Sequence, residues 1–269
     1  MSDLYAKAAE LASQGTPFAI ATVVGVTGSS SARRGSKALI DGFGKTVMGW
    51  VGGGCAESAV RSEALRCIEL ERPLLITVDM SDEHLGVGMP CGGTMDIFIE
   101  PVLPKPELLI VGHGRIAETL ATLGDLMGFA ITVNDPSADR VAFPRAQKLV
   151  TEDFDRTETP IGPRSFVVIA TQHKRDHLWL KKALEGNAAY VALIASRHRA
   201  GLVLEFLRTE GVDEARIATV FAPAGIDLGA STPEEIALSV ISQMVALRRG
   251  RGEPHGEVVI RQCEVEALG

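Results

Sequence analysis

The residues best suited to chemistry lie in a few short glycine-rich stretches. The sharpest is Leu108-Leu109-Ile110-Val111-Gly112-His113-Gly114-Arg115-Ile116-Ala117, an apolar strand running through G-x-G-x-x-A into a helical pattern. Gly112 permits a tight turn, Gly114 lets a phosphate approach the backbone, and Ala117 lets the helix pack close to the strand. A helix start there offers free N–H groups and a positive dipole end to a pyrophosphate. Asp135 follows 23 positions after Gly112, at the end of the next apolar run Ile131–Asn134. An acid at that place accepts from a ribose hydroxyl and disfavours a 2′-phosphate. The competing reading is an empty Rossmann-like turn whose glycines serve packing alone.

A second stretch, Gly52-Gly53-Gly54-Cys55-Ala56-Glu57, places three glycines before a helix. Such a run can form a backbone nest for an anion. A thiol at a helix start has its thiolate favoured, which makes Cys55 a candidate nucleophile or soft metal ligand. Glu57 can accept a proton or bind the N–H edge of a heterocycle. Cys91-Gly92-Gly93 repeats the pairing of thiol and glycine. Against both stands the ordinary fate of a free cysteine, a small buried residue at a tight turn. Arg33, Arg34 and Lys37 follow a Ser/Gly loop and suit a phosphate clamp, or simply a solvated turn. His173 and His177 have metal-ligand spacing, but Lys174 and Arg175 between them repel a cation and no third ligand is evident. Cys67 reads as core and Cys263 as idle.

The elements that must position these groups fall into two halves. Leu103-Pro104-Lys105-Pro106-Glu107 is a stiff connector. The division predicted is 1–103, 107–250 and a tail at 251–269. Residues 1–102 hold 14 of the 28 glycines, so the loops dominate that half. It reads as a helix at 3–14, strands at 18–26, 37–40, 46–51, 73–78 and 94–102, and a helix at 56–71. Asp41-Gly42 marks a hairpin between the second and third strands. The second half alternates strands at 107–111, 129–133, 165–170, 189–194 and 216–221 with helices at 114–127, 174–186, 198–210 and 233–248. Residues 257–264 carry one further strand pattern. The fold expected is α/β: an N-terminal α+β Cys/Gly-loop domain, then a Rossmann-like domain with a doubly wound parallel sheet.

Composition narrows the function classes. With 269 residues, 46% hydrophobic and 23% charged, the chain matches ordinary globular proteins and excludes disorder and coiled coil. A net charge of −7 argues against a general nucleic-acid binder. No apolar run reaches membrane-spanning length, and the first residues carry no leader pattern. Four cysteines without a C-x-x-C predict free thiols in a reducing cytoplasm.

Taken in order, these motifs resemble the XdhC/CoxI family, the maturation factors of molybdenum hydroxylases. The likeness is carried by Gly28-Ser29-Ser30, Arg33-Arg34-Gly35, Gly52–Glu57, Cys91-Gly92-Gly93, Gly112-His113-Gly114 and Asp135-Pro136. It continues through Thr171–Asp176, Ser196-Arg197, Pro223–Ala230 and Thr232–Ala237. Gln172 and Lys174 stand where the xanthine-dehydrogenase branch carries two histidines, so the chain looks nearer the carbon monoxide dehydrogenase accessory branch. Ala192 and Ala195 stand where relatives often have glycine. The resemblance implies a cytoplasmic homodimer that binds molybdenum cofactor (molybdopterin), assists its sulfuration, with a cysteine desulfurase as a further partner, and inserts it into a hydroxylase apoenzyme. By that resemblance Cys55, Glu57 and Cys91 act on the cofactor, with Cys55 and Cys91 offered to molybdenum or a transferred sulfur. Arg33, Arg34, Lys37 and the glycines Gly52, Gly53, Gly54, Gly92 and Gly93 hold its tail. Gly112, Gly114, Arg115, Asp135, Thr171, Asp176, Ser196 and Arg197 hold NAD(P), FAD or another dinucleotide. The chain reads as an accessory protein more than a turnover enzyme. The alternative is an NAD- or FAD-binding oxidoreductase with a redox-active cysteine.

Overall fold

The computed structural model describes residues 2–79, 93–153, 157–171 and 175–249. The chain divides into two compact units, Met1–Pro104 and Lys105–Gly269. The strand pattern at 257–264, Cys263, and the 172–174 segment with His173 lie outside the described residues.

The front unit contains α1 (Ser2–Ser13), β1 (Phe18–Thr27), β2 (Lys37–Asp41), β3 (Thr46–Gly49), α2 (Cys55–Glu69), β4 (Leu74–Asp79) and β5 (Thr94–Val102). Its strands form one antiparallel sheet in the order β3-β2-β1-β5-β4. Alternation along each strand divides the core between two helices. Ala19, Ala21 and Val23 of β1 join Ala38 and Ile40 of β2 under Ala56, Val60 and Ala64 of α2. Phe18 and Leu39 point the other way, onto Leu4, Ala8 and Leu11 of α1. The hairpin closes on Asp41, whose Oδ1 accepts from the N–H groups of Phe43 and Lys45 at 3.0 and 2.9 Å. Cys67 is fully buried and its thiol donates to the carbonyls of Arg72 and Ile99. Burial pushes that thiol's pKa up, which marks it as inert core.

The rear unit contains β6 (Glu107–Gly112), α3 (Arg115–Leu126), β7 (Ala130–Asn134), β8 (Lys148–Val150), β9 (Ser165–Ala170), α4 (Asp176–Glu185), β10 (Tyr190–Leu193), α5 (Arg197–Thr209), α6 (Glu214–Ile217), β11 (Val220–Phe221) and α7 (Pro233–Arg248). All its strand pairs are parallel, in the order β11-β10-β9-β6-β7-β8. Numbered within the unit and read from β8, this is 3-2-1-4-5-6, the doubly wound arrangement with its switch point between β6 and β9. Leu108, Ile110, Phe166, Val168, Tyr190 and Ala192 pack under α3 and α7. Leu109, Val111, Val167, Ile169, Val191 and Leu193 pack under α4, α5 and α6. Strands covered on both faces explain the unbroken apolar runs in the sequence.

Two elements differ from expectation. The strand expected over 216–221 shrinks to Val220–Phe221, because Asp213 caps the single-turn helix α6 by accepting from Ala215 N–H at 3.1 Å. The edge strand β8 is three residues long, too short to show a period.

Candidate functional site

In the front unit the glycine loops converge at one end of the sheet. The segment after β1 is held by bonds from Gly35 N–H to Val23 O (2.8 Å) and from Val23 N–H to Ser36 O (2.9 Å). Gly93, which leads into β5, packs so tightly that a Cβ there would stand 2.5 Å from the carbonyl oxygens of both Thr27 and Ser29. Gly52 has φ +123°, and a Cβ there would meet Ala56, Met95 and Ser31. The 27–36 loop, the 50–54 turn and the start of β5 therefore meet, and only glycine fits at two of the junctions. Gly54 precedes α2 with φ 52° and no side chain caps that helix. Among the described residues a Cβ at Gly53 or Gly54 would have nothing within 4 Å, so none of these residues blocks an approaching group from their backbone.

The side chains around this junction divide into engaged and open groups. Glu57 is half-buried in the first turn of α2 and accepts from Thr46 Oγ1 at 2.9 Å. Lys37 opens β2 and donates to Thr22 Oγ1 on β1 at 2.7 Å, so its ammonium is held on the sheet. Arg33 and Arg34 are exposed and their guanidinium groups make no bond among the described residues. Cys55 is the first residue of α2; its side chain, together with Cys91 and Gly92, lies outside the described residues. Among the described residues no group of three His, Cys, Asp or Glu side chains is placed to hold a metal ion.

In the rear unit the G-x-G-x-x-A turn sits at the switch point. Gly112 ends β6 with φ +125°, opposite Ala170 of β9. A Cβ at Gly112 would lie 2.3 Å from Ala170 O, so the crevice between the two strand ends requires glycine. Gly114 precedes α3 with φ 92° and no side-chain cap. Ala117 is fully buried, and at Gly124 a Cβ would press on Leu108 and Ile131, so small residues bring α3 onto the sheet. Asp135 follows β7, and its carboxylate is 14% exposed. Its Oδ1 accepts from Ser137 N–H at 2.8 Å and lies 3.1 Å from His113 Nδ1, out of line for a hydrogen bond. The turn, the open helix start and the recessed acid fit a dinucleotide.

Several neighbours of the turn are already engaged. Arg115 pairs with Glu234 at the start of α7, Nε to Oε1 2.7 Å. Asp176, at the start of α4, accepts from Thr171 Oγ1 through Oδ1. Its Oδ2 receives Arg199 Nη2 at 2.7 Å and Nε at 3.2 Å. Ser196 caps α5 by accepting from Arg199 N–H at 3.3 Å. Sequence reasoning missed Arg199 and Glu234; both pairings join distant helix starts, and no local pattern signals them. Ser196 and the exposed Arg197 line a cavity of about 540 Å³ between the β10–α5 turn and the segment preceding α7.

The family described as "XdhC Rossmann domain" matches residues 108–244, and "XdhC and CoxI family" matches residues 11–79. The chain belongs to the XdhC and CoxI family. This family member is 34% identical over 253 residues to Uncharacterized protein YqeB of Escherichia coli (strain K12), covering 91% of the chain and 46% of that protein. It is 29% identical over 162 residues to a probable xanthine dehydrogenase subunit of Bacillus subtilis (strain 168), covering 58% of the chain and 47% of that protein. The chain thus spans about half the length of these curated relatives. A crystal structure of a Bacillus halodurans protein described as a xanthine dehydrogenase shares the fold, with TM-score 0.50 and 23% identity over 95% of this chain and 98% of that one. No helix among the described residues is long and apolar enough to cross a membrane.

Proposed function

We propose that this protein is a maturation factor for a molybdenum hydroxylase, binding molybdenum cofactor and assisting its sulfuration and insertion into the apoenzyme. The observation that carries this reading is the junction of glycine loops around the open start of α2, in a chain of the XdhC and CoxI family. A relative named as a probable xanthine dehydrogenase subunit supports a client of that class. The Gln172 and Lys174 positions favour the carbon monoxide dehydrogenase accessory branch.

Each group has a task in this proposal. The backbone of Gly53 and Gly54 and the exposed Arg33 and Arg34 receive the phosphate tail. Glu57 accepts from the pterin edge, exchanging its bond to Thr46 for one to the cargo. Cys55 and Cys91 meet the metal or a transferred sulfur, the soft ligands that molybdenum favours. In the rear unit Gly112 and Gly114 admit the pyrophosphate of a dinucleotide and Asp135 its ribose. That cofactor, when bound, supplies hydride-transfer capacity or simply a structural ligand. A homodimer, a cytoplasmic location and a cysteine desulfurase partner belong to the same proposal.

The test incubates the purified full chain with molybdenum cofactor, separates free cofactor by gel filtration and measures retained molybdenum. Wild type is expected to retain about one equivalent, with Cys55→Ala and Cys91→Ala sharply reduced. Equal, negligible retention in all three refutes the reading. The oxidoreductase alternative rests on the same Gly112 turn and Asp135, and a flavin spectrum that responds to dithiol oxidation in the protein as purified would favour it.

A further inference from the structure

Trp50 stands at the edge of the glycine junction, between the end of β3 and the Gly52-Gly53-Gly54 turn, and it is 45% exposed. An indole that far out of the core leaves much of its apolar surface unburied. Its backbone is nevertheless fixed on both sides. Trp50 N–H donates to Lys37 O at 2.8 Å. Gly49, just before it, has φ +84°, and a Cβ there would lie 2.2 Å from that same Lys37 O. The bend that carries the chain off β3 is thus open to glycine alone, and Val51, just after Trp50, is buried. The fold holds this residue in place while nearly half of it faces solvent.

Trp50 shares a small cleft with Glu57. Thr46 lies between the β3 side and α2 in the same cleft, over an apolar floor that includes Ile40 and Val60. The free space is about 10 Å³, less than any ring needs, so a ligand lies across the mouth rather than inside. Glu57 has one oxygen committed: Oε1 accepts from Thr46 Oγ1 at 2.9 Å, and Oε2 makes no hydrogen bond among the described residues. The indole Nε1–H of Trp50 likewise has no partner among them. An aromatic face beside a carboxylate suits a flat ring with two adjacent N–H donors on its edge. The fused aminopyrimidinone ring has such an edge, its ring N–H and its amino group pointing the same way, and it occurs in pterins and in guanine. Glu57 meets both donors by adding Oε2 and releasing Thr46 from Oε1. Adenine, whose amino group neighbours a ring acceptor, lacks the pair.

We infer that Trp50 and Glu57 form a clamp for the aminopyrimidinone ring of a pterin or guanine, the ring stacked on the indole and its N–H edge on the carboxylate. The inference deepens the proposed reading of this junction as the place of molybdenum cofactor and rests on it. It adds Trp50, which no phosphate or metal contact requires. Equilibrium dialysis of the full chain against free pterin, read by the pterin's own fluorescence, tests it. Wild type binds saturably. Trp50→Ala weakens binding roughly tenfold, the value of one aromatic stack on a base, and Trp50→Phe restores most of the loss. Wild type prefers pterin to lumazine, whose ring carries a carbonyl in place of the amino group, and Glu57→Gln removes that preference. Competition by guanosine monophosphate extends the clamp to guanine, and lack of competition confines it to pterins; both keep it. Absence of saturable pterin binding to wild type, equal affinity in Trp50→Ala, or a preference over lumazine that survives in Glu57→Gln overturns it. Molybdenum retained by a protein that binds no pterin sinks the clamp and leaves the maturation reading standing. Pterin bound without molybdenum retention does the reverse.

Discussion

The Asp176–Arg199 pair offers a sharp way to separate a ligand-binding carboxylate from one that holds the fold. Asp176 has a side chain 4% exposed and Arg199 one 29% exposed. The carboxylate receives Thr171 Oγ1 on one oxygen and both Nη2 and Nε of Arg199 on the other. Asp176→Ala deletes all three bonds and leaves a guanidinium mostly out of water without its anion. Breaking a buried ion pair from one side costs about 3–5 kcal/mol, and the water reaching Arg199 places this one near ~3 kcal/mol. For a unit of this size that corresponds to a drop of roughly 6–12 °C in Tm.

Thermal unfolding followed by circular dichroism, on Asp176→Ala, Arg199→Ala and the double variant, measures the coupling directly. The double variant is expected to be less destabilised than the sum of the singles, by about 2 kcal/mol. Should Asp176→Ala melt with wild type while dinucleotide binding disappears, the carboxylate serves a ligand and the structural assignment is wrong. A coupling near zero with a lowered Tm would equally refute the pair as the source of stability.

Two further outcomes follow from the geometry. Gly112→Ala places a methyl group against the Ala170 carbonyl, which cannot yield because it is backbone, in a φ that L residues avoid. A loss of about 3 kcal/mol or more in urea unfolding is expected, against under ~0.5 kcal/mol for Gly53→Ala, which meets nothing; equal midpoints would refute the crowded-crevice account. Burial pushes the Asp153 carboxyl up, but Glu158 N–H, Thr159 and Asn134 donate to it and hold it below its ordinary value. A carboxylate with a depressed folded pKa contributes stability that is present above its unfolded pKa and lost as pH falls through the folded one. Melts of wild type should therefore weaken below about pH 4, and Asp153→Asn should lose part of that acid dependence; identical pH profiles would contradict it.

The legibility of this chain follows the range over which each feature is encoded. Local signals worked: Asp41-Gly42 located the hairpin between β2 and β3, and the helix expected over 233–248 is α7, whose start at Thr232 carries a full capping box. The strand–helix rhythm of the second half announced a doubly wound sheet, and its central strands β6, β9 and β10 are buried on both faces. What escaped depends on tertiary neighbours. Asp176 reads equally well as a ligand or a first-turn charge until Arg199, 23 positions on, is seen to claim it. Arg115 stands among the residues that the resemblance gives to a dinucleotide, and nothing nearby signals that Glu234, 119 positions on, pairs with it. Gln243 carries no signal at all, yet it ties the wall of the 540 Å³ cavity to β10.

The helix starts say more about function than any single side chain. α5, α6 and α7 are closed by the side-chain oxygens of Ser196, Asp213 and Thr232. Such caps satisfy N–H groups that are otherwise unpaired, and each is worth about 1 kcal/mol. α2 and α3 have glycine in that place, Gly54 and Gly114, both at positive φ and neither supplying a cap. A helix capped by its own side chain has one N–H fewer to offer an anion; one opened by glycine keeps them all and lets the anion come close. These two uncapped helices are preceded by the Gly52-Gly53-Gly54 turn and the Gly112-His113-Gly114 turn. Of the helices without a side-chain cap, α4 opens from Arg175, whereas α2 and α3 open from glycine turns, where the proposed cargo and the proposed dinucleotide each present phosphate oxygens to take up the open N–H groups.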